Sequence, residues 1–148
     1  MVVPGYWQEP ELTAAALQGG FWRSGDLGAL DQGGYLRVFD RLKDTINRAG
    51  YKVCSVEVEN RLCQHPGVLE AAVVARPDPV LGEKVQAFVT PRTADLGPDE
   101  LRAFCAEALA DYKVPDVITF CAEPLPRNAN GKLIKSALRE RAAREAAG

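Results

Sequence analysis

The chain has 148 residues, which suits one domain or one domain plus a fragment. Apolar residues make up 47% and charged residues 26%, and 18 basic against 20 acidic side chains leave a net charge of −2. That is an ordinary globular balance: it has no basic excess for nucleic acid and no apolar run of membrane-spanning length.

The segment Met1–Trp7 lacks a basic stretch followed by an apolar core, so no signal peptide is expected. Residues 1–40 are dense in glycine and aromatics and poor in long aliphatics. Glu11–Leu17 predicts a short helix. Phe21–Ser24 and Tyr35–Phe39 predict short strands around a turn at Asp31-Gln32-Gly33-Gly34. Such a piece buries little by itself and reads as the tail of a larger domain.

Residues 41–148 predict a compact α+β unit. Ser55 is placed to cap a helix with Glu57 and Glu59 in its first turns, Val58 and Leu62 on one face, and an end forced by Pro66. Val68–Ala75 is an apolar strand, Asp78 to Gly82 a loop, and Lys84–Thr90 an alternating strand. Pro98 suits the first turn of a helix whose apolar stripe runs through Leu101, Phe104, Cys105, Ala108, Leu109 and Tyr112 to a break at Pro115. Val117–Cys121 predicts a third strand and Leu133–Ala147 a last amphipathic helix.

Cys54, Cys63, Cys105 and Cys121 form no CxxC pair and His65 is the only histidine, so no metal site is expected. Three of the four cysteines read as small buried hydrophobes, and a reduced, cytoplasmic setting is the simplest account.

Three segments carry candidate chemistry. In Trp22-Arg23-Ser24-Gly25-Asp26-Leu27, a turn presents the Asp26 carboxylate, which is able to accept two hydroxyls of a ribose or to stabilise its own turn. The charged run Asp40–Lys52 lies where the composition changes. It is either a solvated hairpin or a nucleotide contact through Arg41, with Gly50 free to take a backbone conformation or a close approach closed to other residues. In Pro126–Lys135, the Asn130-Gly131 turn presents Lys132. Pro126 and Leu133 exclude a phosphate-binding P-loop, and a plain surface lysine is the alternative.

In this order and at these separations, the three segments resemble the signatures of the adenylate-forming (AMP-binding) superfamily. Those are an aromatic-Arg-Thr/Ser-Gly-Asp segment, an Arg-x-x-Asp/Lys hinge with a downstream Gly, and a Pro-x-x-x-x-Gly-Lys loop. The resemblance covers essentially the whole chain and looks closest to bacterial acyl-CoA synthetases. It implies a β-rich tail of the large adenylation domain over residues 1–40. A mobile carboxy-terminal lid over 41–148 would follow, built from a short β-hairpin, a mainly antiparallel three-stranded sheet and about three helices.

Residue by residue, the resemblance implies Lys132 as the catalytic lysine and Asp26 and Arg41 as nucleotide contacts. It puts the hinge at Lys43, and Gly50 with Tyr51 on the face that forms the thioester. ATP with Mg2+ and CoA would be substrates of the whole enzyme, with none held tightly by this chain alone. Its partners would be the large amino-terminal domain and a small carboxylic acid, with no nucleic acid. The isolated fragment of such an acid–thiol ligase is expected to be inactive. A peptide-synthetase adenylation lid serving a carrier protein is one alternative, which a chain stopping at Gly148 disfavours. A non-catalytic nucleotide- or partner-binding module is another. Asp40, where many members have Gly, Ser24 for Thr, and Asn47 at an often basic place depart from the family pattern.

Overall fold

The computed structural model describes residues 3–147, so Met1, Val2 and Gly148, the outer ends of the expected domains and of the amino-terminal segment, lie outside the described residues. The chain divides into two compact units, one ending at Lys43 and one beginning at Asp44.

In the first unit, helix α1 (Pro10–Ala16) starts on a proline that suits a first turn. Strands β1 (Leu17–Gln18) and β2 (Phe21–Trp22) pair as a minimal ribbon, and β3 (Asp26–Leu30) pairs antiparallel with β4 (Leu36–Arg41). The β3–β4 turn is closed by Asp31, whose Oδ1 accepts the amides of Gly33 at 2.9 Å and Tyr35 at 3.0 Å. Trp7, Phe21, Tyr35 and Leu36 are exposed, and Asp40 is the one buried side chain among the unit's described residues. Few long aliphatics therefore means no core here, as the composition predicts.

The second unit is a five-stranded sheet between helices. Strand β5 (Ile46–Arg48) forms a hairpin with β6 (Tyr51–Val53), and helix α2 (Ser55–Cys63) follows. The long strands β7 (Val68–Asp78) and β8 (Gly82–Pro91) then form an antiparallel pair. Helix α3 (Pro98–Ala106), strand β9 (Val117–Phe120) and helix α4 (Lys135–Ala147) complete the unit. The order is β6-β5-β8-β7, with β9 parallel to β8.

The sheet is thus larger than the expected three strands. The hairpin joins it because Arg48 pairs with Gly82 at the start of β8. The apolar run of β7 has its reason in two-sided burial. Val73, with Val85, Ala87 and Val89 of β8, packs among Val58 and Leu62 of α2 and Leu101 and Cys105 of α3. Ala72, Val74 and Phe88 pack on the other face with Leu138 and Ala142 of α4. A strand covered on both sides gains from apolar residues at successive positions, each large one contributing about 1.5–3 kcal/mol.

Several local expectations need correction. Cys54, not Ser55, takes the N-cap place of α2. The Ser55 hydroxyl is turned to another partner, accepting from Lys135 Nζ at 2.8 Å. Helix α3 ends at Ala106, and Tyr112 lies in a separate 3₁₀ turn, Asp111–Lys113. The stripe from Leu101 to Tyr112 therefore belongs to two elements that share one core. Helix α4 begins at Lys135 rather than Leu133, because Arg127 and Leu133 bridge across the preceding loop. Only Cys105 and Cys121 are buried, and Cys63 is exposed.

Candidate functional site

Asp26 and Arg41 come together in the first unit. They stand opposite each other in the β3–β4 ladder, and Arg41 Nε meets Asp26 Oδ1 at 2.8 Å. Asp26 opens a strand rather than riding a turn, which corrects the expectation for it. Its amide donates to Ser24 Oγ at 3.1 Å, so the serine of this segment shapes the bend ahead of it. Arg41 is half exposed and Asp26 27% exposed, so a carboxylate and a guanidinium are offered side by side. That pair complements hydroxyl donors and phosphate oxygens. Lys43 lies in the 3₁₀ turn Leu42–Asp44, at the end of this unit.

Gly50 and Tyr51 belong to the β5–β6 hairpin of the second unit. Arg48 pairs with Tyr51, leaving Ala49 and Gly50 as a two-residue turn with φ of 49° and 90°. Positive φ at both places is what a type I′ hairpin turn requires. Glycine meets that demand without strain and alanine does not. The hairpin is held by a fork that sequence reasoning missed. Arg48 donates through Nε and Nη2 to the two oxygens of Asp116, at 3.1 and 2.8 Å. Asp116 also accepts the Val85 amide at 2.9 Å. The Asp116 hydrogen bond raises the Arg48 pKa above its ordinary value, against the opposing effect of burial. Tyr51 is exposed and stacks on Tyr112, with ring centres 4.6 Å apart.

Lys132 stands on the loop that leads into α4. Inside the loop, Asn128 Oδ1 accepts the amides of Asn130 at 3.1 Å and Lys132 at 2.9 Å. The Asn128 amide donates to the Lys132 carbonyl at 2.9 Å, and the Gly131 amide to the Asn128 carbonyl at 2.9 Å. Gly131 takes φ 77°, the left-handed conformation that turns the chain back toward Asn128. Asn128 side-chain closure is a turn chemistry that the Asn-x-Asn-Gly spelling signals, and the sequence reading passed over it.

Lys132 itself is exposed, and among the described residues its ammonium has no hydrogen-bond or ion-pair partner. Of the other lysines, Lys84, Lys113 and Lys135 each meet a carboxylate, of Asp78, Glu57 and Glu59, whereas Lys43 and Lys52, like Lys132, form no ion pair among the described residues. Lys135 anchors the start of α4, its Nζ lying 2.7 Å from Glu59, which also accepts the Val73 amide at 2.7 Å. The Asn128 bonds thus hold the base of the Lys132 side chain, whose ammonium meets no partner among the described residues.

No cluster of three or more His, Cys, Asp or Glu side chains suited to a metal occurs among the described residues. Nor is any helix there long and apolar enough to cross a membrane.

Comparison with known proteins gives the family. The family described as AMP-binding enzyme C-terminal domain matches residues 57–132, just over half of the chain. The long-chain-fatty-acid–CoA ligase of Thermus thermophilus is 43% identical over 140 residues, which cover 94% of this chain and 26% of that protein. Pyochelin synthase PchD of Pseudomonas aeruginosa is 45% identical over 144 residues, covering 97% of this chain and 26% of that protein. The crystal structure of ATP-bound MatB from Rhodopseudomonas palustris superposes with a TM-score of 0.86 at 34% identity, covering 96% of this chain and 28% of that one. The chain therefore spans about a quarter of the length of these relatives. It belongs to the AMP-binding enzyme C-terminal domain family, and its relatives are acyl-CoA synthetases and related adenylate-forming enzymes.

Proposed function

We propose that this chain is the mobile lid of an ATP-dependent acid–thiol ligase, with residues 1–40 as the tail of the large adenylation domain and a hinge at Lys43. The observation that carries the reading is Lys132, an unpaired ammonium on a loop closed by Asn128. In acyl adenylation a carboxylate attacks the α-phosphorus of ATP and pyrophosphate leaves. Both reactants are anions, and a fixed cation between them offsets their repulsion and neutralises charge in the transition state. Lysine suits this as a compact point charge. In the second step, a CoA thiol attacks the acyl adenylate. A rotation of the lid would then exchange the Lys132 loop for the hairpin bearing Gly50 and Tyr51. Asp26 and Arg41 serve the ribose and nearby phosphate oxygens, and Mg2+ accompanies ATP. Four free cysteines suit a cytoplasmic setting, where thiols stay reduced.

A second reading has support of its own. The match to pyochelin synthase PchD, at 45% identity, favours an acceptor held on a carrier protein in place of CoA. Acid-dependent pyrophosphate exchange and thioester formation, measured separately in the enzyme that contains this chain, test the proposal. Lys132→Ala is expected to slow exchange by about a hundredfold or more and to leave thioester formation from preformed acyl-adenylate nearly intact. Equal losses would refute the alternating lid. Supplying CoA or a carrier protein as the acceptor separates the two readings. The isolated chain is expected to catalyse neither step, and robust exchange by it would overturn that.

A further inference from the structure

The Lys132 loop is held from outside as well as from within. Glu70 stands on β7, four-fifths buried. One of its oxygens accepts the amide of Leu125 at 2.9 Å, where the chain leaves the α4-side core and enters the loop. The other oxygen accepts Nη2 of Arg127. Arg127 in turn donates through Nη1 to the carbonyl of Gly131 at 2.9 Å, and Gly131 is bonded directly to Lys132. A run of charge-assisted hydrogen bonds thus leads from β7, the strand at one edge of the sheet, to the peptide that carries the lysine.

Resting on the reading of Lys132 above, we propose that Glu70, acting through Arg127, is a positioning residue for the adenylation step, fixing where the Lys132 ammonium is presented. The physical reason is the length of lysine. Its side chain has four rotatable bonds, so the protein governs the ammonium chiefly by fixing the base of that side chain. Charge stabilisation in the transition state depends on a preset position, and a displacement of about 1 Å costs as much as a hundredfold. Arginine is suited to the middle of the relay because two nitrogens of one rigid fork reach two acceptors, which a lysine would not do. Burial pushes the Glu70 pKa up, but the Leu125 amide and the Arg127 guanidinium outweigh it and hold the carboxyl below its ordinary value, so the anchor stays charged. Arg127 and Gly131 are exposed and bury no core surface. The pair joins a half-exposed Arg127 to a largely buried Glu70, so Arg127→Gln separates placement from packing more cleanly than Glu70→Gln.

The test uses the enzyme that contains this chain, with Glu70→Gln, Arg127→Gln, Lys132→Ala and the Glu70→Gln/Lys132→Ala double variant. Single-turnover acyl-adenylate formation, thioester formation from preformed acyl-adenylate, and thermal unfolding are measured for each. Each clamp variant is expected to lose roughly tenfold in kcat of adenylation, with KM for ATP and acid and the thioester step within about twofold of wild type. In the Lys132→Ala background, Glu70→Gln is expected to add nothing further. Wild-type adenylation in both clamp variants, beside a slow Lys132→Ala, would overturn this inference and leave the role of Lys132 standing. A harmless Lys132→Ala would overturn both. Equal losses in the two steps with a lowered unfolding temperature would make the clamp merely structural and overturn the inference. Should Glu70→Gln fail to fold, the exposed Arg127→Gln decides alone.

Discussion

The Ala49–Gly50 hairpin and the Asn128–Lys132 loop are both small tips of one unit, and they are held by opposite means. The hairpin is a product of backbone pairing: β5 joins β6 on one side and touches β8 on the other, and the Arg48–Asp116 fork locks it in a largely buried setting. The loop has backbone bonds only around the Arg127–Leu133 bridge and within its turn, and adds side chains to them: Asn128 inside, Arg127 and Glu70 outside. Backbone pairing is stiff and tolerant of side-chain change. A side-chain scaffold is exposed and local, so one substitution can move a functional group without unfolding the domain.

The largest expected effect separates the tips by function. Lys132→Ala should slow adenylation by about a hundredfold. Gly50→Val should instead slow thioester formation, by roughly tenfold, because a β-branched residue is strained at φ 90° although the space around the site is open. Half-reaction kinetics that fail to cross in this way would break the pairing of tip with step.

Stability should separate them in the reverse sense. Asp116→Ala leaves Arg48 and the Val85 amide without their acceptor, and about 2–3 kcal/mol should be lost in urea unfolding. Asn128→Ala should cost about 1 kcal/mol or less while lowering adenylation several-fold. A larger stability loss at Asn128 than at Asp116 would show that the loop, not the hairpin, is built into the core.

A smaller effect sharpens the account of the hairpin turn. Ala49 holds φ 49°, a conformation that asparagine tolerates better. Ala49→Asn should therefore stabilise by about 0.5–1 kcal/mol, and a destabilised variant would count against the strain.

The smallest effect concerns acid. Because Glu70 is held below its ordinary pKa of 4.5, its charge stabilises the fold above that value, and the contribution disappears as pH falls through the lowered pKa. The gap in unfolding temperature between wild type and Glu70→Gln should narrow as pH is lowered from 7 to below the ordinary value of 4.5. A gap constant across that range would mean the Glu70 charge contributes nothing.

Much of this was legible in the sequence. The helices over Ser55–Cys63 and Pro98–Ala106 were marked by first-turn acids and Pro98, and the three chemistry-bearing segments by their order along the chain. Glu70, Asp116 and Glu59 were not visible as anchors. Glu70 reads as a charged interruption in an apolar strand, and Asp116 as a loop residue after Pro115. Each gains meaning only from a partner brought near by folding, Arg127 and Arg48, 57 and 68 residues away in sequence.

By itself, then, the sequence marked most elements of the second unit, the family and the candidate lysine, because periodicity, turn chemistry and motif order are local or one-dimensional properties. Only the tertiary structure decided how many strands the sheet holds, that β9 runs parallel, that Asp26 is paired with Arg41, and that Lys135 meets Glu59 while Lys132 meets no carboxylate among the described residues. Those are matters of which side chain meets which across long stretches of chain, and such meetings are set by packing rather than by any residue's own preference.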